Sequence, residues 1–305
     1  MFRKALISAA LPALLAIGCS TETPPPGEAT AEEPAGSAAA PADADAVLAE
    51  VVAAMGAEDL DSITYSGTAW RIRNSFMQTP SASPPWPSRD EITNYRRTID
   101  LTQPASLATG DTFAQNIFLD PPVAGTHVQH VPADETAWAQ QLEIWLTPWG
   151  FLEGAEDNGV EMSTETLDGT QYTVLTWMSP ETQTSPSGLQ YTVNGYVGED
   201  NLIDRVETWV EHPFMGDFHV VQVYDDYRDF GGLMVPTAIE QQRGGGGIFG
   251  VSVTDASANP QNLTALLTPP ETSGGGFPGG GGPAPDDIVE QLDDNVYLIT
   301  GGYVA

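Results

Sequence analysis

The chain has 305 residues, of which 42 are acidic and 10 basic, giving a formal net charge of −32. This charge argues against a nucleic-acid partner and against docking on anionic lipid headgroups. It indicates a solubility feature, with specific binding of a cationic ligand as the alternative. Because Cys19 is the single cysteine, no disulfide can form within the chain and a hydrophobic core must hold the fold.

Residues 1–18 are typical of an export signal. Arg3 and Lys4 precede an apolar run over residues 5–17 that is too short to span a bilayer. Removing this leader leaves 8 basic and 42 acidic residues, a formal net charge of −34.

The leader ends in A-I-G-C at residues 16–19, which resembles a bacterial lipobox. The resemblance implies cleavage before Cys19 and attachment of a diacylglycerol to its sulfur. Multiple acyl chains give firm membrane anchoring. Ser20 favours the outer membrane of the cell envelope, facing the periplasm or the surface. An ordinary secretory signal with an incidental cysteine is the alternative.

Composition divides the mature chain into three further parts and a short end. Residues 19–44 are rich in Pro, Ala, Glu and Gly and predict a disordered tether. Residues 45–255 have enough apolar material for one folded domain. Residues 256–286 predict a Gly/Pro-rich linker, and residues 287–305 predict the start of a further domain.

Two helices are predicted from apolar residues at helical spacing. The first covers residues 44–56, with Asp43 or Asp45 as its N-terminal cap and Gly56 after its last turn. The second covers residues 134–146, is capped by Asp134, and carries Trp138, Leu142 and Trp145 on one face. Trp149 and Phe151 follow it, and we expect a turn there.

Alternating apolar and polar residues predict nine or ten strands. They lie at residues 62–73, 91–101, 105–118, 159–167, 170–178, 188–198, 202–211, 219–227, 235–243 and 248–254. The Asp168-Gly169 dipeptide between two of them is a strong hairpin signal. Short turns between successive strands predict an antiparallel sheet. The predicted fold class is α+β and mostly β: a curled antiparallel sheet, or half-barrel, with two helices on its concave face.

The first helix and strand, A-V-L-A-E-V-V-A-A-M-G-A-E-D-L-D-S-I-T-Y-S-G-T-A at residues 46–69, resemble the opening of the LolA/LppX-like lipoprotein half-barrels. Residues 195–243 are similar to the region ahead of the catalytic domain in exported metallo-β-lactamase-fold (MBL-fold) hydrolases. That likeness rests on D-N-L-I-D-R-V-E-T-W-V, M-G-D and Y-R-D-F-G-G-L-M-V-P-T. The closing D-N-V-Y-L-I-T-G-G at residues 294–302 resembles the first strand of the MBL fold itself.

The MBL resemblance implies zinc held by a His-x-His-x-Asp-His cluster, which none of the four histidines here forms. We therefore expect no catalytic or metal-ligating residue in these 305 residues, and we expect the zinc domain to lie beyond Ala305. The last strand, residues 296–299, should find no partner within the chain.

The histidines are weak candidates for a site. His127 and His130 lie in a Pro/Gly-flanked stretch that predicts a surface loop, with metal binding as the alternative. His212 precedes Pro213 in a predicted turn, and His219 opens a strand with either face available.

The aromatic set around the second helix is the strongest binding candidate. Core packing is the simpler interpretation of Trp138, Leu142, Trp145, Trp149 and Phe151, and the functional one is the lining of a hydrophobic groove. Two hypotheses follow. The chain is the accessory, substrate-positioning region of a membrane-anchored zinc hydrolase, or it is a stand-alone, non-catalytic lipoprotein that binds a lipid or another hydrophobic ligand.

Overall fold

The computed structural model describes residues 43–72, 89–116, 119–133, 138–211, 217–270, 288–293 and 296–300, and only the backbone of residues 113–116, 119–123, 138–139, 288–293 and 296–300. These residues belong to one structural unit of the chain, Ala42–Ala305. The predicted leader, Cys19, the tether, Asp134 and His212 lie outside the described residues.

The described chain contains four helices and thirteen strands. The helices are α1 (Ala44–Met55), α2 (Trp138–Trp145), α3 (Pro148–Asn158) and α4 (Leu263–Leu266). The first strands are β1 (Ser62–Ile72), β2 (Arg89–Asp100), β3 (Ala105–Asn116), β4 (Leu119–Val131), β5 (Glu161–Leu167) and β6 (Thr170–Met178). The remaining strands are β7 (Thr192–Val197), β8 (Ile203–Val210), β9 (Phe218–Phe230), β10 (Leu233–Arg243), β11 (Gly246–Ala258), β12 (Ile288–Asp293) and β13 (Val296–Thr300).

Eleven strands form one antiparallel sheet in the order β4-β3-β2-β1-β11-β10-β9-β8-β7-β6-β5. The sheet is open, with β4 and β5 at its edges, and β1 pairs with β11 to join the first four strands to the later meander. Helices α1, α2 and α3 contact strands from β3 at one end to β6 at the other. One layer of helices contacts strands near both edges of the sheet because the sheet curls around it. The predicted fold class is confirmed.

Helix α1 closes one part of this layer. Asp43 caps its start by accepting a hydrogen bond from the backbone of Asp45 at 3.3 Å, and Leu48, Val51 and Met55 face the core. Gly56 ends the helix at φ 66°, where the position of an added Cβ would be 1.9 Å from the Gly232 carbonyl oxygen. Glycine is required here because the left-handed backbone and the close approach both exclude a side chain.

The second predicted helix is in fact a helix pair. Helix α2 ends at Trp145, and α3 begins at Pro148 with Thr147 as its cap, whose hydroxyl accepts a hydrogen bond from Gly150 N at 3.1 Å. The expected turn after Trp149 is therefore wrong. A capping threonine followed by proline at the first helical position is a start signal for a new helix, and both residues are visible in the sequence.

Strand β4 corrects a second expectation. Residues 119–131 contain Pro121 and Pro122 and were expected to form a loop, yet they pair with β3 along the edge of the sheet. Proline is tolerated there because an edge strand has one side that needs no hydrogen-bond donor. His127 and His130 thus lie on a strand, and the expectation of a surface loop is wrong.

The end of the described chain differs from expectation in two ways. Strand β11 runs to Ala258 and α4 follows it, so the end of β11 and all of α4 fall inside the predicted linker. Strand β13 pairs antiparallel with β12, with Val289 opposite Ile299 and Glu290 opposite Leu298. The expectation that the last strand lacks a partner within the chain is therefore wrong, because Ile288–Asp293 supplies one.

Candidate functional site

A cleft lies between α2 and the inner face of the sheet. It has two adjoining parts, of about 440 Å³ and about 300 Å³, which share Gln129, Glu143, Gln241 and Arg243 in their walls. Gln129 belongs to β4 and Gln241 to β10, although four strands separate β4 from β10 in the sheet. The curl of the sheet creates this cleft by bringing distant strands to face each other.

The larger part, the apolar chamber, is lined by the four shared residues, by His130 and Gln140, and by aliphatic and aromatic side chains from four elements. The aliphatic and aromatic side chains are Val131, Leu142, Val210, Phe218 and Val220. The smaller part, the polar chamber, is lined by Arg71, His127 and Phe249 together with the four shared residues. The cleft is thus amphipathic along its length, and its volume falls within the range of about 300–1,000 Å³ found for small-molecule sites.

Helix α2 is held over the cleft by hydrogen bonds from the sheet. Arg97 of β2 donates to the Glu143 carbonyl oxygen at 2.5 Å, and its Nη1 lies 3.7 Å from the Glu143 carboxylate. Gln241 Nε2 donates to Glu143 Oε1 at 3.4 Å, and the Tyr224 hydroxyl donates to the Leu146 carbonyl oxygen. Three strands therefore fix the position of this short helix.

Arg97 is the most deeply buried cation near the cleft, with 4 % of its surface exposed. Its Nε also donates to Ser106 Oγ at 3.2 Å. Burial alone would lower the pKa of Arg97, but Tyr65, Tyr95 and Glu143 together raise it above its ordinary value. Arg97 is consequently a permanent charge that is compensated by Glu143.

His127 is buried in the polar chamber with 6 % of its surface exposed. Its ring stacks on Phe249 with 6.3 Å between the centroids, and neither ring nitrogen has a hydrogen-bond partner among the described residues. Burial, and secondarily the charge of Arg71, lower the pKa of His127 to about 4. The ring is therefore neutral near pH 7, with one nitrogen able to donate and the other able to accept.

The predicted aromatic set is divided between the core and the cleft. Trp149 and Phe151 of α3 are 2 % and 0 % exposed and pack in the core, where the position of a Cβ added to Gly195 would be 2.3 Å from the Phe151 ring. Trp145 packs edge-on against Trp177 at 6.0 Å and donates to Gln141. Leu142 lines the apolar chamber. The side chain of Trp138 lies outside the described part.

The remaining histidines are placed apart from one another. His130 is exposed on β4, and the odd spacing from His127 sends the two side chains to opposite faces of the strand. His219 of β9 stacks on the exposed Trp209 at 4.5 Å and lies 3.2 Å from the Glu207 carboxylate. Among the side chains that the structure describes, no three His, Cys, Asp or Glu residues converge as a metal site.

A second cluster of ionisable groups lies at the β7–β8 turn and contains only carboxylates. Burial, with repulsion from Asp200 and Asp225, raises the pKa of Asp204 to about 6. Asp204 Oδ2 lies 2.8 Å from the position of a Cβ added to Gly198, which places its carboxylate over the turn. We call Asp200, Asp204 and Asp225 the acidic cluster.

Sequence reasoning did not bring together the ionisable residues in and beside the cleft, although it named His127 as a weak candidate. Arg71, Arg97, His127 and Arg243 lie on four different strands, and no local motif joins them. One signal was available, since the sequence contains only ten basic residues and any arginine at an inward position of a strand is unusual. No helix in the described part of the chain has the length and apolarity to cross a membrane.

No protein-family model matches the chain, and no curated protein sequence matches it. Among solved structures, it is similar to a LolA-superfamily protein from Nitrosomonas europaea at 14 % identity and a TM-score of 0.39, covering 74 % of this chain and 97 % of that one. A DUF1329-family protein from Desulfovibrio piger has 10 % identity and a TM-score of 0.42, with the same coverage.

The lipoprotein LppX from Mycobacterium tuberculosis matches at 13 % identity and a TM-score of 0.19, covering 54 % of this chain and 87 % of that one. The expected likeness to LolA- and LppX-type proteins is thus found, at low similarity. The description of the fold as a half-barrel rests on its own strand order and on the curl that forms the cleft.

Proposed function

We propose that the half-barrel is a binding module for a ligand with an apolar chain, and that the cleft beneath α2 is its site. The observation that carries this proposal is the apolar chamber of about 440 Å³, walled by Val131, Leu142 and Phe218 from three separate elements. Burial of a ligand chain here would remove apolar surface from water on both partners, which stabilises the complex by about 25 cal/mol per Å².

Binding of 1-dodecanol to the purified full-length chain tests this proposal. The cysteine is replaced, Cys19→Ala, so that no acyl group on the chain itself competes. Val210→Trp places a large ring in the apolar chamber and should abolish binding, whereas Thr164→Trp on the exposed edge strand β5 should leave it unchanged. Equal binding by all three proteins, or none by the parent, would show that the chamber is not the site.

We propose further that the module is exported and anchored in the cell envelope through a lipid on Cys19. The support is the lipobox-like A-I-G-C at residues 16–19 and the apolar leader before it. Mass spectrometry of the N-terminal peptide from cells that express the full chain tests the proposal. A diacylglycerol adduct on Cys19 is expected, and an unmodified cysteine in the mature peptide would exclude the anchor.

A second candidate role is that of accessory region to a zinc-dependent MBL-fold hydrolase, for which the cleft would position substrate. It is favoured by the similarity of residues 195–243 to the region that precedes such catalytic domains. Reading the source DNA past codon 305 tests this role. A continuous frame with a His-x-His-x-Asp-His cluster would support it, and a stop codon in intact DNA would favour a non-catalytic binding lipoprotein.

A further inference from the structure

The charges in the cleft do not balance. Arg71 lies 3.4 Å from the buried carboxylate of Asp90, and Arg97 lies 3.7 Å from that of Glu143. Arg243, at the junction of the two chambers, has no carboxylate partner within 4.0 Å in the described part of the chain, and its buried Nε has no hydrogen-bond partner. One guanidinium therefore remains uncompensated inside a chain whose net charge is −32.

The environment of Arg243 disfavours its charge. Burial lowers the pKa of Arg243, and the nearby Glu143 only partly offsets this effect. Both oxygens of Glu143 are already engaged, one by Gln241 and the other by Arg97. A bound anion would supply the missing counter-charge, because a charge-assisted hydrogen bond in a partly dehydrated site is among the strongest polar contacts available.

His127 supplies a second unsatisfied group in the same chamber. Its ring is more than nine-tenths buried, and both nitrogens lack a hydrogen-bond partner within the described residues. Leaving a buried donor unsatisfied is unfavourable, because the group loses its hydrogen bonds to water and gains none. A neutral imidazole that donates to an anionic oxygen would remove this cost without introducing another charge.

We propose that the cleft binds a single-chain amphiphile with an anionic head group, carboxylate or phosphate, whose head contacts Arg243 and His127 and whose chain fills the apolar chamber. This inference rests on the proposed function and names its ligand class. The shared walls of the two chambers place Arg243 where the head of a ligand in the apolar chamber would lie. The chain as a whole carries an excess of negative charge, whereas this cleft contains a positive charge without a carboxylate partner among the described residues.

Isothermal titration calorimetry on the full-length Cys19→Ala chain distinguishes an anionic amphiphile from an uncharged chain and from a free anion as the ligand. The four probes are dodecanoate, dodecyl phosphate, 1-dodecanol and inorganic phosphate. We expect an anionic probe with a C12 chain to bind at least about tenfold more tightly than 1-dodecanol, because one charge-assisted contact is worth about 1.5–3 kcal/mol. Inorganic phosphate alone should bind far more weakly than dodecyl phosphate. Equal affinity of these two phosphates would show a free-anion site and overturn the proposal.

Matched variants locate the head group. Arg243→Gln keeps most of the side-chain volume and should bring the affinity for dodecanoate to within about threefold of the affinity for 1-dodecanol. Arg228→Gln, an exposed arginine on β9, should preserve the full preference. If 1-dodecanol binds the parent as tightly as dodecanoate, the head-group inference fails and the apolar site stands. If no C12 probe binds, the proposed function fails with it.

A measurement without any cleft variant covers the case in which Arg243→Gln does not fold. The ring nitrogens of His127, observed by NMR in the parent chain with ¹⁵N-labelled histidine, should shift on saturation with dodecanoate and much less with 1-dodecanol. Identical spectra with the two ligands would overturn the assignment of the head group to this chamber.

Discussion

The cleft and the acidic cluster are two concentrations of ionisable groups on one sheet, and they are built in opposite ways. In the cleft, Arg97 is matched by Glu143 and the neutral His127 is kept uncharged by burial. In the acidic cluster, Asp204 lies among like charges, and burial with repulsion from Asp200 and Asp225 raises its pKa. The Arg97–Glu143 pair of the cleft is costly to break, whereas the repulsion in the acidic cluster is relieved by a proton.

Removing the central cation of the cleft is expected to have the largest effect. Arg97→Met leaves the Glu143 carboxylate without its ion-pair partner and should lower the free energy of unfolding by about 3–5 kcal/mol in urea denaturation. The matched change Arg228→Met, at an exposed position on β9, should alter it by less than about 0.5 kcal/mol. Similar losses in both variants would mean that the buried pair has no special role.

The pH dependence of the cleft follows from His127. Its pKa in the folded chain, about 4, lies below the ordinary value near 6.5, so the unfolded chain binds a proton first as the pH falls. The contribution of His127 to the free energy of unfolding is fully present above pH 6.5. It declines as the pH falls toward 4 and is constant below that. The total is at most about 3 kcal/mol, at roughly 1.4 kcal/mol per pKa unit.

His127→Gln should flatten this part of the profile of unfolding free energy against pH. The groups that act on His127 are Arg71 from β1, Arg97 from β2 and Glu143 from α2, and all three remain in the variant. His130→Gln, exposed on the same strand, is the control and should keep the parent slope. An unchanged slope in His127→Gln would contradict the assignment.

The acidic cluster should respond to pH with the opposite sign. The pKa of Asp204 in the folded chain, about 6, exceeds the ordinary value of 3.8, so the folded chain binds its proton first and gains stability as pH falls through 6. Asp204→Asn should therefore raise the melting temperature at pH 8 and lose this advantage near pH 4. A variant that melts below the parent at pH 8 would refute like-charge repulsion.

Ionic strength should have the smallest effect on the melting temperature. It should act on the acidic cluster and leave the Arg97–Glu143 pair of the cleft almost unaffected. Raising ionic strength from 0.01 M to 0.15 M shortens the screening length from about 30 Å to about 8 Å and weakens repulsion among exposed carboxylates. The melting temperature of the parent should rise modestly, and that of Asp204→Asn should rise less. The melting temperature of Arg97→Met should stay below that of the parent by a constant amount, because a buried ion pair is little screened by salt. A difference that disappears in salt would place Arg97 at the surface.

Local signals in the sequence predicted most of the fold. The Asp168-Gly169 turn joins β5 to β6 as expected, with φ of 51° and 89° at the two residues, and Asp43 and Gly56 bound α1. The misses have physical causes. Pro121 and Pro122 suggested a loop because edge strands tolerate residues that central strands exclude, and the start of α3 at Thr147-Pro148 was a cap signal that went unused.

The candidate site was less predictable than the fold. Leu142 lines the apolar chamber, whereas Trp149 and Phe151 pack in the core. The charges that define the polar chamber come from β1, β4 and β10, and their proximity depends on the curl of the whole sheet. A charge balance inside a cleft is a tertiary property, so no spacing along the chain could have indicated that Arg243 has no carboxylate partner among the described residues.

A crystal structure of the chain with 12-bromododecanoate tests the central claim most directly, because anomalous scattering from bromine locates the end of the chain independently of the head. The account predicts the carboxylate within hydrogen-bond distance of Arg243 and His127, and the bromine among Val131, Leu142 and Phe218. Bromine bound outside the cleft, or a carboxylate that contacts neither Arg243 nor His127, would contradict it.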